Sequence, residues 1–415
     1  MKFYFDSLDP RESNCNELTY NPHTHNDFWV VSKGTIIKKM LGNIGMPIAD
    51  VNKWDEPGCY WIDLNGDPEW WSGALKTPNP TENVLYSLPK KIIDMARLKH
   101  LRIILAADKE GGSMNYKYDC FYLTTQAVIT LNLPPGSVVI TQGNKNIASD
   151  YEKWLIVSGQ RKVLEVIYSN HFGNIFFDKQ MPMTPLILEA MNNDSSVDFN
   201  SLNRIYRTQR GAHLFFLAKH KLLDRGLVSG NQINLNDLNA PALLQCDQTE
   251  FVEVMEANYP RFLDGDWSET NAANQYNPET YTNSLMTFVT ETKFDEPVAF
   301  LTEKIFKPIA LGHPVILLAA AGTLRALADL GFRIDWCGID PSYNDIKDDT
   351  ARFYATHRVL MDWLYLPRDE KLERIRESMS TINHNFHMIR MKDFYKDAIN
   401  DVIASSGEYF KNVRI

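Results

Sequence analysis

Short, strongly apolar runs alternate with segments of helical character, and this alternation constrains the fold more than any other feature. The clearest runs are residues 101–107, 137–141, 163–168, 284–292 and 314–319. Apolar runs of this length between helices predict α/β units, in which buried parallel strands are joined by helical crossovers. In such units ligands bind beyond the carboxyl ends of the strands, where helix N-termini attract phosphates.

The chain length predicts more than one domain. A chain of 415 residues is long for a single core and suggests two domains of about 200 residues each. Pro, Asn and Ser gather over residues 181–198, which favours a linker there. We therefore expect Rossmann-like domains over residues 1–185 and 186–370, each with a parallel sheet. The strand signals end near Pro367, so residues 371–415 are predicted to form C-terminal helices.

Composition indicates a cytoplasmic protein. The five cysteines show no CxxC spacing, which is typical of reduced thiols and not of a disulfide framework. No apolar run reaches the length of about 18–20 residues that spans a bilayer, and the first residues resemble an opening strand more than a signal peptide. We expect no membrane association. The sequence leaves the oligomeric state open.

The net charge of −9 argues against broad electrostatic coating of nucleic acid. The excess of acidic residues lies mostly in the second half of the chain, so a local basic surface on the first half stays open. Its candidate members are Lys90, Lys91, Arg97, Lys99 and Arg102. A solvated helix face is the simpler interpretation of the same residues.

A charged segment separates the last two apolar runs. Thr302 is a candidate N-cap, followed by Glu303 and Lys304 in the first helical turn and by Lys307 one turn later. A lysine in the first turn opposes the helix dipole, which favours anions there. The pattern fits an anionic ligand at this helix end, or a solvated turn with internal ion pairs.

A second cationic segment lies about 100 residues earlier. Arg204, Arg207 and Arg210 are spaced by three residues just before an apolar helical stretch. Arginine presents a planar fork that binds phosphate oxygens in pairs. The alternative is a surface ladder paired to acids. Neither the Gly-rich dinucleotide fingerprint nor a Walker lysine occurs, so a phosphate site here would use cationic side chains and helix N-termini.

These two segments resemble a known family. The pattern N-R-x-x-R-x-x-R, then T-E-T-x-F-D and T-E-K-x-F-K-P-I, is similar to a group of glycosyltransferases common in phages and bacteria. Those enzymes resemble inverting α-1,3-fucosyltransferases, whose donor domain has a comparable T-E-K segment. The match covers residues 203–210 and 291–331. The N-terminal half resembles the family only weakly, around residues 108–112.

The resemblance implies a GT-B fold, in which two Rossmann-like domains face a cleft and the C-terminal domain binds a nucleotide sugar. It implies that Glu303 binds ribose hydroxyls, and that Lys304 with Arg207 or Arg210 neutralises the diphosphate. Arg204, Thr302 and Lys307 complete the expected donor site. The donor would be an NDP-sugar, such as a UDP- or GDP-sugar, and no cofactor or metal would be required.

Inverting transfer needs a general base to accept the proton of the acceptor hydroxyl. Glu110, beyond the 101–107 strand and beside two glycines, is the first candidate, and Asp108 is the second. For the acceptor, Trp61, Trp70 and Trp71 combine aromatic faces with nearby carboxylates, as sugar or base stacking requires. A core or interdomain position explains these tryptophans equally well. The final candidate for the acceptor site is His171, at a strand end.

Two further patterns resemble metal sites but do not predict one. Asp264-Gly265-Asp266 resembles the D-x-D motif of another glycosyltransferase class, yet its loop lacks a following strand and is typical of a turn. His23 and His25 have no third ligand at metal-binding spacing. We therefore expect no metal.

The sequence thus favours an inverting nucleotide-sugar glycosyltransferase that acts on a hydroxyl acceptor. The acceptor could be a glycan or small hydroxyl compound, or a hydroxylated pyrimidine of phage DNA. A DNA acceptor would need a basic surface and a pocket for an extruded base. A non-catalytic sugar- or nucleotide-binding protein with the same fold is the alternative. A sugar phosphorylase is disfavoured, because the two cationic segments exceed what one phosphate needs.

Overall fold

The computed structural model describes residues 1–5, 47–64, 71–72, 82–107, 111–115, 119–174, 176, 181–230, 233–263 and 276–411. The chain divides into two compact units. Unit 1 comprises Met1–His171 and Asp393–Ile415, and unit 2 comprises Phe172–Lys392. The division therefore falls at residues 171 and 392, whereas the sequence suggested 185 and 370.

Strands and helices alternate along most of the chain, and a helical stretch follows the last strand. The strands are β1 (Lys2–Phe5), β2 (Ile48–Asp50), β3 (Gly58–Asp63), β4 (Leu101–Ala107), β5 (Val138–Gln142), β6 (Leu164–Tyr168), β7 (Phe199–Asn203), β8 (Gly226–Gly230), β9 (Thr287–Thr290) and β10 (Val315–Leu318). The α-helices are α1 (Lys90–Arg97), α2 (Cys120–Thr130), α3 (Ile147–Ser158), α4 (His171–Asn174), α5 (Ile187–Asn192), α6 (Thr208–Lys219), α7 (Asn239–Leu244), α8 (Gln248–Asn258), α9 (Pro278–Thr282), α10 (Glu303–Ala310), α11 (Thr323–Asp329), α12 (Asp349–Tyr365), α13 (Arg368–Glu377), α14 (Met379–Met391) and α15 (Phe394–Phe410). Short 3-10 helices span Val51–Lys53, Val84–Ser87, Leu223–Arg225 and Pro341–Asp345.

Unit 1 contains a parallel sheet in the order β2-β1-β3-β4-β5-β6. Alternate residues of a strand point to opposite faces, and both faces of this sheet are buried. Tyr60 and Ile62 belong to a cluster with α1, α2 and α3. Cys59 and Trp61, from the same strand, belong to a second cluster. Burial on both faces explains the continuous apolar runs of β4 and β5.

The last helix, α15, packs on the second face of the unit 1 sheet. Tyr395, Ala398, Ile399 and Val402 of α15 lie in the same cluster as Cys59 and Trp61. Burying a large aliphatic or aromatic side chain stabilises a fold by about 1.5–3 kcal/mol, so these contacts fix the helix firmly. The C-terminal segment is thus split, because α13 and α14 belong to unit 2 and α15 belongs to unit 1.

A buried arginine also anchors α15. Arg102 of β4 is 1% exposed and donates from Nη1 to the hydroxyls of Ser405 and Ser406, at 2.7 and 2.9 Å. Its Nε donates to the Gly136 carbonyl at 2.7 Å, and its Nη2 pairs with Glu165. Arg102 is therefore part of the interior and cannot contribute to the basic surface that the sequence left open.

Unit 2 contains a parallel sheet in the order β10-β9-β7-β8. The chain passes from β7 to β8 on one side, then crosses back to β9 on the other side and continues to β10. The strand order therefore reverses between β7 and β9. Such a reversal leaves a crevice at the carboxyl ends of the two strands, where open α/β sheets bind ligands.

The expected α/β class, with two Rossmann-like parallel sheets and C-terminal helices, is confirmed. The GT-B arrangement, in which two such domains face each other across a cleft, stays a prediction. Among the described residues, every helix is too short or too polar to cross a membrane.

Candidate functional site

The candidate site lies at the carboxyl edge of the unit 2 sheet, where the strand order reverses. Asn203 ends β7 and Thr290 ends β9, and the Thr290 hydroxyl donates to Asn203 Oδ1 at 2.5 Å. Both side chains are almost fully buried, at 3% and 4% exposure. Strands β7 and β9 thus meet through polar side chains at their carboxyl ends. A polar interior of this kind is costly unless its hydrogen bonds are satisfied.

The loop after β9 is attached to helix α10 by a buried carboxylate. Glu291 is fully buried and accepts from the Thr302 backbone N–H at 3.0 Å and from the Thr302 hydroxyl at 2.7 Å. It also accepts from the Thr292 backbone N–H at 3.0 Å. Burial raises the pKa of Glu291, and the charge of Lys304 opposes that rise. A carboxylate of this chain therefore already occupies the N-terminal end of α10, where the helix dipole favours an anion.

Thr302 is the N-cap of α10, as the sequence predicts, since its hydroxyl accepts from the Lys304 backbone N–H at 3.3 Å. The Lys304 ammonium pairs with Glu303 at 2.6 Å. Burial opposes the charge on Glu303, but the charges of Lys304 and Lys307 contribute to a net lowering of its pKa. The first-turn lysine thus has internal partners, and its position does not by itself require an external anion.

Two side chains of α6 connect the arginine segment to this loop. Gln209 Nε2 donates to the carbonyls of Glu291 and Thr292, at 2.7 and 3.2 Å. Arg210 donates from Nη2 to the Thr290 carbonyl at 3.2 Å and from Nη1 to the Ile205 carbonyl at 2.7 Å. The two segments, which are distant in the chain, are therefore in direct contact at one edge of the sheet.

Arg210 is a buried cation with unused hydrogen-bonding capacity. It is 5% exposed, and its Nε is buried without a hydrogen-bond partner among the described residues. Burial lowers the pKa of Arg210 to about 10, although the charges of Glu291 and Glu303 act to raise it. The guanidinium therefore stays protonated at neutral pH. Its two carbonyl contacts show that it also fixes the backbone of the loops after β7 and β9.

The other cations of the expected donor site are more accessible. Arg204 and Arg207 are exposed, and Lys307 is half-buried. Arg207 is the N-cap residue of α6, and its side chain does not cap that helix. Among these described side chains, the five cations outnumber the carboxylates of Glu291 and Glu303 by three; the cations are Arg204, Arg207, Arg210, Lys304 and Lys307. Such a positive excess matches a diphosphate better than it matches a neutral ligand.

Three of the acceptor-side candidates, Trp61, Trp71 and His171, are described by the structure, and all three belong to unit 1. Trp61 and Trp71 are 2% and 3% exposed and lie in separate core clusters, so neither ring has an open face on which a sugar could stack. His171 follows β6 and binds the Tyr395 hydroxyl through Nδ1. Asp108, Glu110 and Trp70 lie outside the described residues.

The possible metal motifs, Asp264-Gly265-Asp266 and His23-Thr24-His25, also lie outside the described residues. Within the described ranges, no group of three His, Cys, Asp or Glu side chains is placed to hold a metal ion. The absence of a metal requirement stays a prediction.

The sequence did not single out several residues that organise this site. Glu291 lies at the end of an apolar run, where an acid is most simply interpreted as solvated. Gln209 lies between two of the predicted arginines, and Asn203 precedes them. For Asn203 the signal is a polar side chain at the last position of a buried strand, because that position faces the ligand edge of the sheet.

Comparisons with known proteins give similarities of structure only. No protein-family model and no curated protein sequence matches this chain. Among solved structures, the trehalose-6-phosphate synthase OtsA is 11% identical, with a TM-score of 0.41 over 85% of this chain and 72% of that one. An α,α-trehalose-phosphate synthase (UDP-forming) from Burkholderia vietnamiensis is 10% identical, with a TM-score of 0.39 over 84% and 71%.

A third structure, the catalytic domain of starch synthase IV from Arabidopsis thaliana bound to ADP and acarbose, is 12% identical. Its TM-score is 0.38, over 92% of this chain and 77% of that one. At these identities and TM-scores the similarity does not assign an activity.

Proposed function

We propose that this protein is a nucleotide-sugar-dependent glycosyltransferase that moves a sugar to a hydroxyl acceptor with inversion at the anomeric carbon. The observation that supports it is the meeting of the two family-like segments at one place. Gln209 and Arg210, from the arginine segment, bind the carbonyls of Thr290, Glu291 and Thr292. That place is the carboxyl edge of the unit 2 sheet, at the reversal of strand order.

In this proposal the donor diphosphate lies against the exposed Arg207 and the ammonium groups of Lys304 and Lys307. Arg204 extends the cationic surface at its exposed end. The nucleoside diphosphate leaves with increasing negative charge, so cations held in place before the reaction stabilise the transition state. Thr302 and Glu291 hold the start of α10 in position.

Glu303 is proposed to bind the ribose hydroxyls of the donor. Its pKa is lowered, with the charge of Lys304 the largest contribution in that direction, so it is a carboxylate at neutral pH. A carboxylate accepts hydrogen bonds from a pair of hydroxyls. Lys304 would keep this carboxylate oriented in the free protein and contribute its charge to the phosphates in the complex.

The acceptor hydroxyl needs a base, for which Glu110 is proposed, with Asp108 as the alternative. Inversion then follows from a single displacement, in which the acceptor oxygen attacks the anomeric carbon and the base receives its proton. Among the acceptor classes, a glycan or small hydroxyl compound is favoured over DNA. Arg102 is buried, and both Lys90 and Arg97 pair with Asp94, which weakens the basic surface that DNA would need.

The test is a donor screen that follows nucleotide release from UDP-, GDP- and CMP-sugars by the full-length protein. Parallel reactions contain a mixture of glycans, hydroxymethylated DNA or no acceptor. Transfer with one donor and an inverted product supports the proposal. Binding of a donor without any turnover would instead identify the non-catalytic binding protein. A folded protein that neither binds nor cleaves any donor refutes the assignment.

Two variants connect the activity to this site. Removal of a hydrogen bond from a charged group costs about 1.5–3 kcal/mol, so Glu303→Gln is expected to weaken donor binding by roughly 10- to 100-fold. Lys304→Ala is expected to lower turnover, because the leaving group loses a cation. The matched controls are Glu279→Gln, an exposed acid in the first turn of α9, and Lys347→Ala, an exposed lysine. Both controls should retain full binding and turnover.

A further inference from the structure

A continuous chain of buried hydrogen bonds runs from the candidate site into the core of unit 2. It begins with the bond between the Thr290 hydroxyl and the Asn203 amide. Asn203 Nδ2 donates to Ser201 Oγ at 3.1 Å, and Ser201 Oγ lies 3.0 Å from His213 Nε2. His213 Nδ1 in turn lies 2.9 Å from His357 Nε2.

The series of hydrogen bonds ends at a backbone carbonyl of helix α12. His357 Nδ1 lies 2.8 Å from the carbonyl oxygen of Phe353. Ser201, His213 and His357 are fully buried. Desolvation by burial lowers the pKa of His357 to about 3 and that of His213 well below its usual value. Both imidazoles are therefore neutral at physiological pH, and each has one donor nitrogen and one acceptor nitrogen.

The direction of every bond follows from the terminal carbonyl. A carbonyl can only accept, so His357 Nδ1 bears the proton and His357 Nε2 is an acceptor. His213 must then donate from Nδ1, which makes its Nε2 the acceptor for the Ser201 hydroxyl. Because Ser201 donates its only proton to His213, its oxygen must accept from Asn203. The amide of Asn203 therefore turns Nδ2 toward Ser201 and Oδ1 toward Thr290.

We infer that His213 and His357 are positioning residues that fix the amide orientation of Asn203 at the carboxyl edge of β7. Through this chain the side chains of Asn203 and Thr290 are set before a ligand arrives. A preset polar group binds its ligand with a smaller loss of conformational entropy than a mobile one. The chain also explains polar side chains at alternate positions, Ser201 and Asn203, of a buried strand.

The surroundings of His213 support a fixed orientation. Its ring stacks on Phe288 of β9, with a centroid separation of 4.2 Å and an interplanar angle of 3°. Phe353 and Phe216 enclose the ring of His357, with centroid separations of 4.1 and 4.3 Å. Neither ring can rotate freely among such neighbours, so the hydrogen-bond directions are held by packing as well as by chemistry.

The inference that this series of hydrogen bonds serves ligand binding rests on the proposed function. The hydrogen bonds themselves do not depend on it. The first experiment therefore needs no ligand. In the full-length protein labelled with 15N-histidine, the ring nitrogen shifts of His213 and His357 are measured between pH 8 and pH 5. Both are expected to show a protonated Nδ1, a bare Nε2 and no titration. A protonated Nε2 on either neutral ring overturns the inferred direction.

The second experiment removes one link with a small change. Ser201→Ala deprives Asn203 and His213 of their common partner, and Ser201→Thr keeps the hydroxyl. In Ser201→Ala the His213 Nε2 shift should move, and the Asn203 amide protons should exchange faster with water. Ser201→Thr should restore both signals. Thr356→Val is the control, because that buried hydroxyl bonds to the Arg352 carbonyl of its own helix and not to the chain.

The third measurement is the dissociation constant of the donor found in the screen. One hydrogen bond is worth about 1 kcal/mol, so Ser201→Ala should weaken binding by about fivefold, with recovery in Ser201→Thr and no change in Thr356→Val. Unchanged affinity in a folded Ser201→Ala variant overturns the positioning role. If the ring nitrogen shifts of His213 and His357 are as expected but the wild type binds no nucleotide sugar, the proposed function fails. The series of hydrogen bonds is then a purely structural feature.

Discussion

The carboxylate of Glu291 gives the sharpest prediction about how the site is held together. Its two oxygens accept three hydrogen bonds, two from Thr302 and one from the Thr292 backbone. Glu291→Gln keeps the size of the side chain but replaces one acceptor oxygen with an NH2 group. Since NH2 cannot accept, at least one of the donors now facing Glu291 loses its partner.

The magnitude follows from the burial of that donor. A buried donor without a partner costs about 1–3 kcal/mol, and the lost charge at the N-terminus of α10 adds roughly 0.3–1 kcal/mol. Removing the buried charge offsets part of this cost, because burial opposes ionisation of Glu291. We expect a net local destabilisation of about 1–3 kcal/mol. This corresponds to roughly 5- to 150-fold faster opening of the start of α10.

The assay is amide hydrogen exchange of the full-length protein, read over residues 302–310 at a fixed pH. Glu291→Gln should accelerate exchange there by this factor and leave β4 and β5 of unit 1 unchanged. Glu279→Gln, an exposed acid in the first turn of α9, is the control and should alter exchange only at its own helix. Unchanged exchange at α10 in Glu291→Gln would refute the view that this carboxylate holds the helix in place.

Three further predictions concern the rest of the molecule. Burial lowers the pKa of His357 to about 3. The contribution of neutral His357 to stability is therefore full above the unfolded-state pKa near 6.5 and is lost as the pH falls toward 3. The free energy of unfolding should drop over that pH range, and it should drop less steeply in His357→Phe. Burial raises the pKa of the Cys59 thiol to about 11. A thiol reagent at pH 8 should therefore modify the partly exposed Cys246 at least about tenfold faster than Cys59. Equal rates of modification would contradict the burial of Cys59. Arg102→Leu removes the buried hydrogen bonds to α15. It should lower the free energy of unfolding of unit 1 by about 2–4 kcal/mol, measured by denaturant unfolding. A change within about 0.5 kcal/mol would show that apolar packing alone holds α15 in place.

Local patterns correctly predicted several of the strands and the start of helix α10. The apolar runs at 137–141, 163–168 and 314–319 correspond within a residue to β5, β6 and β10. Thr302 is the N-cap that its position before Glu303 indicated. These features depend on neighbours in the chain, such as alternation, apolar length and capping side chains, so the sequence contains the information needed to predict them.

Contacts between residues that are distant in the chain could not be predicted from local sequence patterns. The sequence was equally compatible with a binding surface and with a core position for Trp61 and Trp71. The folded structure shows that the two side chains lie in separate hydrophobic core clusters. The packing of α15 on unit 1 includes the bonds from Arg102 to Ser405 and Ser406, and Arg102 is 303 residues away from Ser405 in the chain. Local sequence patterns do not encode such pairings.

The proposed donor site depends on both local patterns and long-range packing. The sequence singled out the first turn of α10 because its lysine opposes the helix dipole, and the structure shows that this lysine does not by itself require an anionic ligand. Lys304 already has Glu303 as a partner, and Glu291 already occupies the helix N-terminus. The positive excess that suits a diphosphate appears only when Arg207 and Arg210 are counted with this cluster. The fold brings Arg210 to the Thr290 carbonyl at the end of β9, and Arg207 lies near enough to Arg210 for its charge to lower the pKa of Arg210.

The most direct test of the central claim is hydrogen exchange of the full-length protein with and without a saturating nucleotide sugar. We predict slower exchange over residues 203–210 and 291–307, the two segments that meet at the carboxyl edge of the unit 2 sheet. The Glu303→Gln variant should require roughly 10- to 100-fold more ligand for the same protection. Protection confined to unit 1, or none in either segment at saturation, would contradict a nucleotide-sugar site at this edge.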